Sequence, residues 1–292
     1  MCNVCGCGED DAHHQGKDRG GDHHTHHVSH DTSHHERDHA PPPTVAQLHF
    51  GQGAAGVSVP GMSQARLIEL DENLMAENDG FAAKNRAFFE THGVLALNLM
   101  SSPGAGKTTL LVKTIECLME HRPIAVIEGD QQTSHDAERI AATGAAALQV
   151  NTGNGCHLDA HMIDHALARL SFEDDQVLFI ENVGNLVCPA GFDLGEAAKV
   201  VIVSVPEGAD KPLKYPNMFA AADLMIISKW DLIQHVSFDA DLCIEYAHSV
   251  NASLDVIRLS ATTGEGIDQW IDWIGRMGRT RRQRDGIVEG QG

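Results

Sequence analysis

A short apolar run, Val94-Leu95-Ala96-Leu97-Asn98-Leu99-Met100, leads directly into Ser101-Ser102-Pro103-Gly104-Ala105-Gly106-Lys107-Thr108-Thr109, and this junction limits what the chain can fold into. The apolar run reads as a buried strand. From Lys107 on, Leu110, Leu111, Ile115 and Leu118 recur at helical spacing. A strand, a glycine loop and a helix in that order predict an α/β sheet with an anion cradle at the helix start, where inward-turned N–H groups and the helix dipole meet a polyphosphate. Gly104, Ala105 and Gly106 let the main chain approach. Lys107 is expected to face solvent when no phosphate is bound and to reach the β- and γ-phosphates when one is, and Thr108, followed by Thr109, to offer its hydroxyl to Mg²⁺. The consensus G-x-x-x-x-G-K-[ST] asks for glycine where this chain has Ser101.

Further signals follow in order. The strand Ile124–Ile127 ends in Glu128-Gly129-Asp130, which puts a carboxylate where open α/β sheets bind ligands; Asp130 is expected in the Mg²⁺ shell. A helix over 136–143 and a strand over 147–150 precede the glycine loop Asn151–Gly155, which presents Cys156 and His157 at a helix start. The strand Val177–Ile180 then runs into Glu181-Asn182-Val183-Gly184, the form of a γ-phosphate-sensing switch, with Cys188 four residues beyond the glycine. Cys117 and Cys243 read as core residues. Cys156, His157 and Cys188 differ because they lie in loops at the functional edge, and His161 and His165 repeat His157 at helical spacing, as ligands or by coincidence.

The last third supplies base recognition. Ser228-Lys229-Trp230-Asp231 resembles the [NT]-K-x-D signature of GTPases, in which the aspartate accepts from guanine N1–H and N2–H₂ and the lysine stem lies along the base. Ser260-Ala261 is placed like the loop that contacts guanine O6, and a helix follows over 267–274. Each signal alone is weak, whereas the four in register are specific.

The first sixty residues have almost no hydrophobic periodicity. Cys2-x-x-Cys5-x-Cys7 can close three thiols around one soft or borderline ion. A tract rich in histidine, from His13 to His39, is too polar to fold alone and suits Ni²⁺, Cu²⁺ or Zn²⁺. The expected division is a disordered metal-binding extension and linker over 1–60, a helical segment over 61–92 that is one helix or, if Asn78-Asp79-Gly80 breaks or kinks it, two, a GTPase domain over 93–278 and a solvated tail over 279–292. With 41 acidic residues against 21 Lys and Arg, the net charge of −20 excludes a nucleic-acid partner on charge grounds. No segment has the length and apolarity of a membrane span or a signal peptide, so the expected compartment is cytoplasmic.

On Cys2-x-x-Cys5-x-Cys7, Ser101–Thr109, Glu128–Asp130, Gly155–His157, Glu181–Pro189, Asp210–Pro216 and Ser228–Asp231, the chain resembles the HypB family of nickel-insertion GTPases of [NiFe]-hydrogenase maturation, within the metallochaperone P-loop GTPases. The resemblance implies a SIMIBI-type P-loop fold with a mostly parallel sheet, GTP hydrolysis with Mg²⁺, and a GTP-promoted homodimer. It also implies delivery of Ni²⁺ to the hydrogenase large subunit alongside a second nickel-maturation accessory protein. Lys107, Asp130 and Glu181 would be catalytic; Gly184, Lys229, Asp231, Ser260 and Ala261 would bind nucleotide. Cys2, Cys5 and Cys7 would form one nickel site, and Cys156, His157 and Cys188 a second for nickel or zinc. The alternatives are a urease-type nickel GTPase, whose Cys-Pro-His motif is here Cys188-Pro189-Ala190, and a passive nickel store.

Overall fold

A computed structural model describes residues 61–131 and 135–284 together with Val59. The Cys2/Cys5/Cys7 triad and the histidine tract lie outside the described residues. Two compact units divide the chain, Met1–Glu69 and Leu70–Gly292. In the first, Arg66 pairs with Glu69 at 2.7 Å on the opening turns of helix α1 (Gln64–Thr91).

The second unit is a seven-stranded sheet, every neighbouring pair parallel, in the order β3-β2-β4-β1-β5-β6-β7. The strands are β1 (Leu95–Ser101), β2 (Ile124–Asp130), β3 (Ala146–Asn151), β4 (Val177–Glu181), β5 (Ala198–Ser204), β6 (Leu224–Ser228) and β7 (Asp255–Arg258). Helices α2 (Lys107–Leu118), α3 (His135–Ala141), α4 (Ala160–Leu167), α5 (Lys211–Lys214), α6 (Pro216–Ala221), α7 (Ala240–Val250) and α8 (Ile267–Arg284) intervene. Central β1 and β4 are buried throughout, as apolar runs covered on both faces must be. Alternation along β1 sends Leu95, Leu97 and Leu99 to one face, with Leu110 and Leu111 of α2 and Trp270 of α8. It sends Ala96 to the other, with Phe89 of α1 and Ile163 of α4.

One element decides between two alternatives the sequence leaves open, and another departs from its expected length. The α1 helix passes unbroken through Asn78-Asp79-Gly80, because Asn78 is buried and satisfied: its amide donates to Asp193 O (2.8 Å) and its Oδ1 accepts from Ala160 N (2.9 Å). Gly195, at φ +87°, permits this docking, since a Cβ there would meet Ala82 O at 2.6 Å. Helix α8 extends through Arg284, beyond the expected end near Ile274, because arginine and glutamine are good helix formers and Met277 continues the apolar face of Trp270, Trp273 and Ile274. No helix among the described residues is long and apolar enough to cross a membrane.

Candidate functional site

Order reversal in the sheet puts β1 at its centre, and the loop after β1 opens at the carboxyl edge where such sheets bind ligands. Gly104 (φ +74°) and Gly106 (φ +99°) adopt left-handed backbone that only glycine takes readily, and α2 begins at the next residue, Lys107. The loop is clamped by the distant base-recognition segment. Lys229 Nζ donates to Gly104 O at 2.7 Å, and Ser228 Oγ to Ala105 O at 2.7 Å.

Lys107 is not solvent-facing, as a lysine of an empty phosphate site was expected to be. It is buried, and its Nζ donates to Ser101 Oγ at 2.8 Å, the serine that replaces the consensus glycine. Burial pushes its pKa down, and the negative field of Glu181, Asp136 and Glu128 opposes this. Thr108 Oγ1 donates to Glu181 Oε1 at 2.8 Å, while Glu181 Oε2 is buried with no hydrogen-bond partner. Burial raises the Glu181 carboxyl to about 7, against the field of Lys107 and the bond from Thr108.

Glu128, the first residue of Glu128-Gly129-Asp130, joins the site although the motifs do not mark it. Glu128 lies beside Glu181 in the β2–β4 register, its Oε2 is likewise buried without a hydrogen bond, and burial, with Glu181 next, raises it to about 8. A carboxylate directly after the apolar run Ile124–Ile127 is the signal the sequence offers for it. Asp130, two residues on, accepts Gln131 N at 2.7 Å. Arg139 was also missed; from α3 it donates to Thr109 Oγ1 at 3.2 Å, and nothing in local sequence marks it. A hydroxyl and two buried, incompletely bonded carboxylates form an oxygen donor set that suits a hard divalent cation such as Mg²⁺.

Asp231 follows Lys229, which holds left-handed backbone (φ +56°), and its Oδ1 accepts from Ser260 Oγ. Trp230 N donates to Leu259 O at 3.1 Å, so the β6 and β7 ends present Lys229, Asp231, Ser260 and Ala261 together.

Gly184 lies against the phosphate loop: a Cβ there would come within 2.9 Å of Pro103 Cα. Beyond it, Cys188 opens a short helical turn, Cys188–Gly191. The ligand atoms of Cys188, Cys156 and His157 lie within 4.8 Å of one another, all three residues half-buried. Cys156 and His157 stand in the loop before α4, whose N-cap is Asp159, rather than on its first turn. Burial pushes the His157 imidazole down, toward the neutral form a metal needs, and its ring packs on Phe192 at 4.0 Å. Asn185 of the segment between Gly184 and Cys188 donates to Cys156 O at 3.3 Å. Two thiols and an imidazole fit a soft or borderline ion.

A parallel sheet with this loop, lysine and base-side aspartate defines a P-loop nucleotide-binding domain. Residues 95–258 match the CobW/HypB/UreG nucleotide-binding domain family. The chain is 55% identical to the hydrogenase maturation factor HypB of Azotobacter vinelandii over 96% of this chain and 94% of that one. To the HypB of Escherichia coli K12 it is 50% identical, over 94% and 98%. A crystal structure of HypB from Helicobacter pylori in complex with nickel matches with a TM-score of 0.67 at 38% identity, covering 70% of this chain and 96% of that one. The chain belongs to the CobW/HypB/UreG family and, within it, to the HypB hydrogenase maturation factors.

Proposed function

We propose that this chain is a Mg²⁺-dependent GTPase that binds Ni²⁺ and delivers it to the [NiFe]-hydrogenase large subunit, working in the cytoplasm as a GTP-promoted homodimer with a second nickel-maturation accessory protein. One observation carries the reading: a single segment, Glu181–Cys188, contributes a carboxylate bonded to Thr108, a glycine packed on the phosphate loop and a thiol of the metal triad. Nickel-bound HypB from Helicobacter pylori supports Ni²⁺ as the cargo, with Zn²⁺ the competing ion.

In this reading the loop N–H groups of Gly104, Ala105 and Gly106 bind the phosphates, and Lys107 exchanges its bond to Ser101 for one to the β- and γ-phosphates. Thr108, Glu181, Glu128 and Asp130 are the residues that would hold Mg²⁺. When bound, Mg²⁺ neutralises charge on the phosphate oxygens. Ser260 orients the Asp231 carboxylate to accept the guanine N1–H and N2–H₂ donors, Lys229 lies along the base, and Ala261 flanks O6. Gly184 N–H meets the γ-phosphate and transmits its presence to Cys188. Cys2, Cys5 and Cys7 form a separate nickel site, with the histidine tract as metal reserve.

The test is a Ni²⁺ titration of the full chain with GDP and with a non-hydrolysable GTP analogue, subtracting the same titrations of Cys188→Ala. The cysteine-dependent affinity should differ between nucleotides by about 5–150-fold, the range of ordinary coupling energies. Equal affinities in the two states would leave a metal site and sink the switch.

A further inference from the structure

One face of α1 carries two asparagines, Asn78 and Asn85, that take no part in the nucleotide site. They lie about two helical turns apart, and both are buried, at 5% and 0% exposure. Each side-chain amide bonds the same two segments of chain. Asn78 Oδ1 accepts from Ala160 N at 2.9 Å, and its Nδ2 donates to Asp193 O at 2.8 Å. Asn85 Nδ2 donates to Ala160 O at 2.8 Å and to Leu194 O at 3.1 Å. Ala160 opens α4, close behind the loop of Cys156 and His157. Asp193 and Leu194 run on from the Cys188–Gly191 turn. Each asparagine therefore ties the Cys156/His157 segment to the Cys188 segment.

These bonds end on main-chain groups, so they fix the course of both segments rather than the turn of one side chain. Phe192, between the turn and Asp193, lays its ring on His157 with centroids 4.0 Å apart, so a shift of this segment is felt at the imidazole. Arg86 adds an ion pair to Asp193 at 2.7 Å. Docking of α1 does not by itself call for the two amides. Ala82 and Phe89 of the same helix are buried and supply apolar contact, whereas burying an amide is unfavourable unless its hydrogen bonds are recovered.

We propose that Asn78 and Asn85 are positioning residues for the metal triad: α1 sets the separation of the Cys156/His157 loop from the Cys188 turn by bonding both from one face. The role rests on the reading of the triad as a metal site and is independent of the nucleotide. An ion draws two thiols and an imidazole to short, fixed distances. Segments held close beforehand lose less freedom when it binds.

The full chain is alkylated with N-ethylmaleimide at a series of buffered free Ni²⁺ concentrations, and tandem mass spectrometry reads each cysteine separately. In Asn78→Ala and in Asn85→Ala, the Ni²⁺ concentration that half-protects Cys156 and Cys188 should rise by about 10–100-fold, the usual effect of losing a group that orients metal ligands. Phe88→Ala removes ring contacts with Phe172 (5.0 Å) and His92 (4.1 Å) near the C-terminal end of α1. It should lower the melting temperature without moving the midpoint. An unchanged midpoint in the asparagine variants overturns the proposal. So does an equal rise in Phe88→Ala, because docking of the helix would then be the whole effect. If Asn85→Ala does not melt cooperatively, Asn78→Ala decides. The same series with phenylarsine oxide in place of Ni²⁺ needs no metal ion, since this reagent exchanges its oxygen for two sulfurs where two thiols meet and releases water. If Ni²⁺ does not protect Cys188 in the parent, the metal reading fails and the arsenical tests positioning alone. A rise of its midpoint in the asparagine variants then upholds the positioning role, and no rise overturns it.

Discussion

The nucleotide site and the metal triad share one segment of chain but are built in opposite ways. At the nucleotide site Lys107, Thr108, Glu128 and Glu181 are all buried, each no more than 8% exposed, and the loop is held from the far side of the sheet by Ser228 and Lys229. The triad is half-buried, and its ligands come from two loops joined by the Asn185–Cys156 bond. The first site is set rigidly before ligand arrives and leaves two carboxylate oxygens unbonded. Moving one loop against the other alters the second. A rigid sensor beside an adjustable ligand set is the arrangement a nucleotide-controlled metal site needs.

The largest effect should be confined to the rigid side. In Asp231→Asn, preference should move from GTP to xanthosine triphosphate, with discrimination changing by up to about 10⁴-fold, because mispaired donors and acceptors are costly in a desolvated site. Triad affinity for Ni²⁺ without nucleotide should not change. Competition binding with both nucleotides and a parallel Ni²⁺ titration check this; a shifted nucleotide-free Ni²⁺ affinity would break the contrast between the two regions.

A smaller effect should appear where they meet. Alanine at Gly184 would put a methyl 2.9 Å from Pro103 backbone, which cannot yield as a flexible side chain does. At a cost on the order of 1–3 kcal/mol, the γ-phosphate contact should weaken by about 5–150-fold. Ni²⁺ affinity should then become the same in GDP and in the GTP analogue. Isothermal titration of Gly184→Ala with each nucleotide measures both, and retained nucleotide dependence would show that coupling does not pass through this glycine.

The smallest effect is on stability. Glu128 is raised from 4.5 to about 8, so between those values the folded chain holds a proton that the unfolded chain has lost. Stability of the ligand-free protein should therefore fall as pH rises through that window and level off above it. Glu128→Gln removes this titration. Its melting temperature at pH 8 should exceed that of the parent by on the order of a few degrees, with a smaller difference near pH 5. Melting curves without nucleotide or metal at both pH values decide it; identical pH dependence in the two proteins would mean that Glu128 is not buried as a neutral acid.

The sequence by itself determined what is written in contiguous residues. A strand, a glycine loop and a helix beginning at Lys107 are local backbone statements, and each stands in the structure where it was read, with the loop taking positive φ at Gly104 and Gly106. The grouping of Cys156, His157 and Cys188 was legible too, because both loops leave the same edge of a parallel sheet. Other features depend on which residues the tertiary structure brings side by side. The burial of Lys107 against Ser101, the pairing of Glu128 with Glu181 across β2 and β4, the reach of Arg139 to Thr109 and the continuity of α1 past Gly80 all came from it. Burial and charge proximity are set by such neighbours, and neighbours distant in sequence leave no periodicity or spacing in the chain.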